Sequence, residues 1–146
     1  MKKYLLDITI FSAGMPFSAD HIDKGKSLGG SETAALQCAH ALAKQGHRVM
    51  LFCNTEKEHE RGGVTYVPIG WVPTPGGGGF PKGFFDYARS TPCDLMVIQR
   101  MPAMYQFEVK SKVNFLWQHD LATRTGPSNF HTQAWNIDRL LTGSGV

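Results

Sequence analysis

The chain has 146 residues, of which 42% are hydrophobic and 18% charged, which is enough for one compact domain with a buried core. Its 15 Lys and Arg against 12 Asp and Glu leave a formal charge of +3, too small and too scattered to indicate a nucleic-acid partner. No apolar run approaches the ~20 residues of a membrane-spanning helix, and Asp7 interrupts the apolar start that a signal peptide would need. We therefore expect a single-domain cytoplasmic protein, with a peripheral membrane location as the alternative.

The cysteines and histidines do not form a recognisable site. The odd number and wide spacing of Cys38, Cys53 and Cys93 fit neither a disulfide framework nor a CxxC metal pair, so they are predicted to be small buried side chains. The six histidines show no HExxH motif and no other metal-ligand spacing. We expect no metal and no resident cofactor.

The first half of the chain predicts a strand, a helix and a second strand in succession. The apolar run 4–11 is typical of a strand buried on both faces, and a polar stretch follows it as far as residue 28. Helix-forming residues then continue to Gln45, with Ser31 as a candidate cap and Gly46 as the expected end. One face of this helix carries small and apolar side chains at helical spacing: Ala35, Cys38, Ala39, Leu42 and Ala43.

The rest of the chain continues the alternation. The apolar runs predict strands over 48–53, 64–69, 94–99, 112–118 and 138–142. Helical patterns cover 82–90, more weakly 103–109, and a short piece at 131–135. Residues 54–61 are expected to form a polar surface connection, and the segment 71–80, with two prolines and four consecutive glycines, is predicted to be irregular and mobile.

This alternation predicts an α/β fold, a Rossmann-like doubly wound parallel sheet of about six strands in residues 1–146. Ligands of such sheets bind outside the carboxyl ends of the strands. The loops expected at that edge are 12–30, 70–80, 100–102 and 119–130.

Gly29 and Gly30 lie where the first helix begins, and Ser31 follows them. Backbone N–H groups at a helix start attract phosphate, and glycine lets an anion approach closely. A pair of glycines serves equally well to make a tight turn. The pattern is neither GxGxxG nor GxxxxGK[ST], which argues against a nicotinamide-dependent dehydrogenase and a P-loop NTPase.

Two further polar residues are expected at the same edge. His119 follows the apolar strand 112–118 and could hydrogen-bond a sugar hydroxyl or move a proton, or simply satisfy a backbone group. Arg100 follows the strand 94–99 and could pair with a phosphate or a carboxylate, or form a structural salt bridge. No GxSxG motif occurs, so nucleophilic serine catalysis has no support.

The stretch SLGGSETAALQCAHALAKQGHRVMLFC, residues 27–53, resembles the start of family 4 glycosyltransferases, which are retaining enzymes of the GT-B fold. The resemblance continues through the third strand, the fourth strand with Arg100, His119-Asp120 after the fifth strand, and Thr142-Gly143-Ser144 after the sixth. It implies that this chain is one half of a GT-B architecture, the N-terminal domain that mainly binds the acceptor.

The resemblance also implies roles for individual residues. Gly29 and Gly30, with Ser31 and Arg100 beside them, would lie against the diphosphate of a nucleoside-diphosphate sugar, and His119 would contact the transferred sugar or order the acceptor. The Glu-x7-Glu segment and the Arg/Lys pair that hold the donor in this family belong to a second domain and do not occur in these residues. We therefore expect a C-terminal GT-B domain as partner, in cis or in trans, with a homodimer as another arrangement, and negligible activity for the chain alone.

Two other functions fit the same features. One is a non-catalytic module that binds nucleotides or phosphorylated sugars, or that assembles with another subunit. The other is an oxidoreductase or epimerase of the Rossmann type, which the missing three-glycine motif disfavours.

Overall fold

The computed structural model of the protein describes residues 5–21, 29–118 and 137–142, which form a mixed α/β fold. The strands are β1 (Asp7–Ser12), β2 (Arg48–Cys53), β3 (His59–Arg61), β4 (Val64–Pro68), β5 (Trp71–Pro73), β6 (Gly79–Pro81), β7 (Cys93–Gln99), β8 (Ser111–Gln118) and β9 (Arg139–Thr142). The helices are α1 (Gly30–Lys44), α2 (Lys82–Ser90) and the 3-10 helix Pro102–Gln106. No described helix is both long enough and apolar enough to cross a bilayer.

Seven strands form one sheet in the order β3-β4-β2-β1-β7-β8-β9. The six strands from β4 to β9 in this order pair in parallel, and only β3 runs antiparallel, at one edge. Moving along the chain, the sheet grows from β1 outward to β2 and β4, and then from β1 in the other direction to β7, β8 and β9. The order therefore reverses between β1 and β7, which is where doubly wound sheets open a crevice.

Both faces of the sheet are covered, as the apolar strand sequences require. Ala35, Leu36 and Ala39 of α1 pack on one face, and the small side chains of the two alanines allow the helix to approach the sheet closely. Phe84 and Ala88 of α2 pack on the other face, with the 3-10 helix beside them. The predicted β-α-β unit is confirmed, since β1 and β2 are parallel neighbours joined through α1.

The first helix ends where the sequence predicts, but the residue that caps its start is not the predicted one. Gly29 is the N-cap residue, in an extended conformation, and Ser31 is already inside the helix, so the expectation that Ser31 caps it was wrong. Its hydroxyl instead donates to Glu32 Oε1 over 3.1 Å. At the other end the helix stops at Lys44, and Gly46 takes a φ of +103°, as the left-handed C-terminal cap prefers.

The segment 71–80 is not irregular, contrary to the sequence-based expectation. β5 and β6 form an antiparallel hairpin that pairs Trp71 with Pro81 and Pro73 with Gly79. The turn closes through the Gly77 N–H, which donates to the Thr74 carbonyl over 3.0 Å. Consecutive glycines disfavour a strand interior, but Gly77 and Gly78 lie in the turn at positive φ, where they are the preferred residues.

The other differences are smaller. The first strand begins at Asp7 because Leu5 and Leu6 are exposed and precede the paired residues. Part of the predicted surface connection 54–61 forms the short edge strand β3, and the helix expected over 103–109 is a 3-10 turn over Pro102–Gln106. The helix predicted at 131–135 lies outside the described residues.

Candidate functional site

The carboxyl ends of β1 and β7 meet the start of α1 at the point where the strand order reverses. Ser12 Oγ donates to Gln99 Oε1 over 2.7 Å, and both side chains are buried. Gln99 Nε2 in turn donates to the Ser31 carbonyl over 3.1 Å. These two hydrogen bonds fix the helix start relative to both strands, so the geometry of this edge is set before any ligand arrives.

Gly29 and Gly30 have different surroundings in this site. A Cβ atom on Gly29 would clash with Glu32 Oε1, and one on Gly14 would clash with Glu32 Oε2. A Cβ atom on Gly30 would have no described atom within 4 Å. Gly29 and Gly14 therefore make room for the Glu32 side chain, whereas the space in front of Gly30 is open among the described residues.

Glu32 is a buried carboxylate held by hydrogen bonds at the helix start. Its Oε2 accepts the Met15 N–H over 2.8 Å, and its Oε1 accepts the Ser31 hydroxyl. Burial by itself would raise the pKa of the Glu32 carboxyl, but the hydrogen bonds from Met15, from its own backbone and from Ser31, together with the charge of Arg100, lower that pKa below its ordinary value of 4.5. The carboxylate is therefore ionised at neutral pH, and it anchors the loop after β1 to α1.

Arg100 is exposed and directly follows β7. Its φ of +62° is the only positive φ of a non-glycine residue in the described part of the chain. Its N–H donates to the Trp117 carbonyl over 3.1 Å, which fixes the backbone between β7 and β8. Arg100 lies within electrostatic range of the helix start, because its positive charge is one of the causes that lower the pKa of the Glu32 carboxyl.

Most of the site residues predicted from the sequence are brought to one edge. Gly29, Gly30, Ser31 and Arg100 all lie at the carboxyl ends of the parallel strands, around the β1–β7 junction. His119, the candidate catalytic residue, lies outside the described residues; the described part of β8 ends at Gln118, which is buried at the same edge. Ligand binding by any of these residues remains a prediction.

Sequence reasoning missed the buried polar residues Ser12, Gln99 and Glu32. Polar side chains that directly follow apolar runs at the ends of two neighbouring strands were a usable signal for Ser12 and Gln99. Glu32 gave no comparable signal, because an acidic residue in the first turn of a helix is common. Its burial depends on Gly14 and Met15, which lie in a loop whose path the sequence does not specify.

A cavity of about 420 Å³ lies on the same edge of the sheet, beside β2 and β3. Its walls are the segment 16–21 after β1, the segment 54–57 after β2, and the side chains of His59 and Arg61. Its volume is within the range of small-molecule sites, roughly 300–1,000 Å³. It adjoins the helix-start site, because the loop after β1 contributes Met15 to one and residues 16–21 to the other.

Two histidines hold one wall of this cavity through main-chain hydrogen bonds. The Ser18 N–H donates to His21 Nδ1 over 3.2 Å, and the Ala19 N–H donates to His59 Nε2 over 3.1 Å. His59 also stacks on Tyr66, with ring centroids 4.7 Å apart. A ring nitrogen that accepts an N–H carries no proton, so His21 is protonated on Nε2 and His59 on Nδ1.

A second pair of hydrogen bonds joins the cavity wall to the β5–β6 hairpin. Asn54 Nδ2 donates to the Gly14 carbonyl over 2.7 Å, while Asn54 Oδ1 accepts the Trp71 indole N–H over 2.6 Å. Trp71 therefore packs within the loops of this edge. The three loops at this edge are thereby tied together through one side chain.

The described residues contain no group of three or more His, Cys, Asp or Glu side chains that could hold a metal ion. No family model matches the chain, and no curated protein or solved structure matches it at a significant level.

Proposed function

We propose that this chain is the Rossmann-like, acceptor-side domain of a retaining glycosyltransferase of the GT-B fold, which transfers a sugar from a nucleoside-diphosphate sugar. The observation that carries the proposal is that none of the described residues occupies the space in front of Gly30. This space lies at the start of a 15-residue helix, on the edge where the strand order reverses, with Arg100 within electrostatic range. The resemblance of residues 27–53 to family 4 glycosyltransferases supports the same function.

The helix start offers the donor diphosphate two kinds of interaction. The first N–H groups of a helix have no carbonyl partner within it and carry part of the positive end of its dipole. In α1 the Glu32 N–H is bound by its own carboxylate, which leaves the N–H groups ahead of it to face a ligand. The Arg100 guanidinium adds a full positive charge and can bind phosphate oxygens through two N–H groups. Glu32 opposes this attraction, but its carboxylate occupies the side of Gly14 and Gly29 and leaves the Gly30 side open.

Sugar transfer needs a second domain that faces this edge of the sheet and completes the active site. A diphosphate leaving group must be neutralised, and donor and acceptor must be aligned out of water, which one face of one domain does not accomplish. We therefore assign the donor-holding carboxylates and basic residues to a C-terminal GT-B domain, present in cis or in trans. His119 is proposed to contact the transferred sugar or to order the acceptor.

The first test compares two glycine substitutions by calorimetric titration with UDP-sugars and GDP-sugars. Gly30→Ala places a methyl group in the open space where the phosphate would approach, and alanine in place of glycine favours the helix by roughly 0.5–1 kcal/mol. We expect the variant to be folded and to bind the nucleotide-sugars at least about tenfold more weakly. Gly76→Ala, in the turn of the β5–β6 hairpin, is the matched control and should bind like the wild type.

The second test measures activity with the donor-binding domain supplied. Release of nucleoside diphosphate, coupled to sugar transfer, is expected only when both domains are present, and His119→Ala should reduce it strongly. If the two-domain protein releases no nucleoside diphosphate with any UDP- or GDP-sugar and any acceptor offered, the proposed function is wrong.

A further inference from the structure

We propose that the cavity between the segments 16–21 and 54–57 and strand β3 binds a small uncharged polyhydroxyl molecule, of the sugar or cyclitol class. Binding there requires no nucleotide at the helix start. This site and the proposed transferase function can therefore fail separately.

The charges around the cavity balance, so they give a charged ligand no net attraction. Asp20 and Glu56 contribute two carboxylates, and Lys57 and Arg61 contribute two cations. His21 and His59 each accept a main-chain N–H and are therefore neutral. The formal charge of the lining is thus zero: a phosphate would meet two carboxylates, and a metal ion would meet two cations.

The hydrogen-bonding groups of the lining match hydroxyl groups. Each hydroxyl of a sugar donates one hydrogen bond and accepts others, so a ring with several hydroxyls needs donors and acceptors close together. Asp20 and Glu56 are acceptors only, whereas Lys57, Arg61 and the Nε2–H of His21 are donors. Carboxylates and guanidinium groups serve more than one partner each, so their contacts within the protein leave further capacity.

The base of the cavity is apolar and is held in place. Phe17 and Ala19 are buried, and the His21 ring packs edge-on against Phe17 with centroids 6.4 Å apart. The hydrogen bond from the Ala19 N–H to His59, and the stacking of His59 on Tyr66, fix this wall against the strands β3 and β4. A wall ordered in advance reduces the entropy that a weakly binding ligand must overcome.

Two-dimensional amide NMR of the whole chain tests the site. The probes are methyl α-D-glucopyranoside, methyl α-D-mannopyranoside and myo-inositol, each titrated to high millimolar concentration, with inorganic phosphate and Mg²⁺ titrated in parallel. We expect at least one of the three polyols to shift the amide signals of residues 16–21 and 54–61 with saturation. Phosphate and Mg²⁺ should leave the same signals nearly unchanged.

Substitutions of exposed residues separate binding from folding. Glu56→Ala and Lys57→Ala each remove one exposed lining side chain and should weaken polyol binding about tenfold, as expected for the loss of a hydrogen bond to a charged group. Glu58→Ala is the matched control, because Glu58 is equally exposed, lies in the same connection and does not line the cavity. It should bind as the wild type does.

Three outcomes would overturn the inference. One is the absence of saturable shifts with all three polyols; the second is larger shifts with phosphate or Mg²⁺ at the same amides; the third is equal loss of binding in the Glu58 and Glu56 variants.

Discussion

Glu32 is the residue on which the helix start depends most. Two glycines make room for its side chain, and its carboxylate joins the loop after β1 to α1 through Met15. The sequence correctly indicated that Gly29 and Gly30 begin the helix region. It did not distinguish their roles, because the reason for Gly29 is a carboxylate whose position depends on a loop 17 residues earlier.

Replacing Glu32 by alanine should destabilise the protein. The Met15 N–H would lose its carboxylate acceptor, and a hydrogen bond to a charged group contributes about 1.5–3 kcal/mol to the free energy of unfolding. Urea denaturation followed by circular dichroism measures the change. An unchanged midpoint for Glu32→Ala would show that the carboxylate does not hold the loop.

The contribution of Glu32 should also depend on pH. Its pKa is lower in the folded state than its ordinary value of 4.5, so the ionised carboxylate stabilises the fold above that value, and this stabilisation is lost as the pH falls through the folded pKa. The difference in unfolding free energy between the wild type and Glu32→Gln should therefore shrink below pH 4.5. Glu58→Gln, at an exposed position, is the control and should show no such change. A pH-independent difference for the Glu32 variant would contradict the assignment.

Among the elements, the β5–β6 hairpin and α2 approach each other unusually closely. Gly70 has a φ of +75°, and its carbonyl accepts the Gly83 N–H over 3.1 Å. A Cβ atom on Gly83 would lie 2.7 Å from the Ile69 carbonyl oxygen. The glycine-rich composition predicted a loop here. The structure shows another reason for glycine: the start of α2 lies so close to the residue before β5 that both Gly83 and Gly70 must lack a side chain.

The substitution Gly83→Ala tests this contact. Alanine favours a helix over glycine by roughly 0.5–1 kcal/mol. The new Cβ would, however, clash with the Ile69 carbonyl oxygen, a backbone atom that cannot easily move away, and such overpacking costs typically 1–3 kcal/mol. We therefore expect net destabilisation in urea titrations. Gly76→Ala meets no described atom within 4 Å and should change stability by less than about 0.5 kcal/mol. Equal effects of the two substitutions would rule out the close approach.

The 3-10 helix is attached to the sheet by Tyr105. The side chain is fully buried, and its hydroxyl lies 2.9 Å from the Met96 carbonyl oxygen and 2.7 Å from that of Phe115, on the neighbouring strands β7 and β8. Burial is the main reason that the pKa of this phenol is raised, so it remains a donor at all ordinary pH values. Tyr105→Phe should lower the unfolding free energy by about 1–3 kcal/mol, because two buried carbonyls lose their shared donor. A variant as stable as the wild type in urea titrations would mean that other groups serve these carbonyls.

At the scale of the whole molecule, two cores on opposite faces of the sheet enclose the thiols. Cys53 belongs to the core beneath α1 and Cys93 to the core beneath α2, while Cys38 is half-buried on α1. All three cysteines lie in the described residues and are free. The predicted burial is confirmed for Cys53 and Cys93, whereas it was wrong for Cys38, which is half-buried. Burial raises the pKa of the Cys53 thiol to about 12, and it also raises the pKa of Cys38 and Cys93.

The thiols should therefore react slowly while the protein is folded, since the thiolate is the reactive species. With Ellman's reagent at pH 8 we expect Cys38 to react first, and Cys53 and Cys93 only at the rate at which the chain unfolds. In guanidinium chloride all three should react within the mixing time. Rapid reaction of Cys53 in the folded protein would contradict its place in the core.

Local patterns along the chain were sufficient to predict the elements that a repeating pattern or a cap specifies. The apolar runs of β2, β4, β7 and β8, and the alanine-rich face of α1 with Gly46 at its end, are encoded within short windows, and the structure confirms them. The parallel alternation also follows, because a strand-helix-strand succession has essentially one way to cross over.

Tertiary packing determines which side chains come into contact with one another. The burial of Glu32, the hydrogen bond between Ser12 and Gln99, and the cavity walled by His21 and His59 all join residues separated by long stretches of chain. The β5–β6 hairpin likewise depends on Asn54 and on α2 beside it. Such contacts form when loops of unspecified path are closed by the packing of the sheet, and no local periodicity records them.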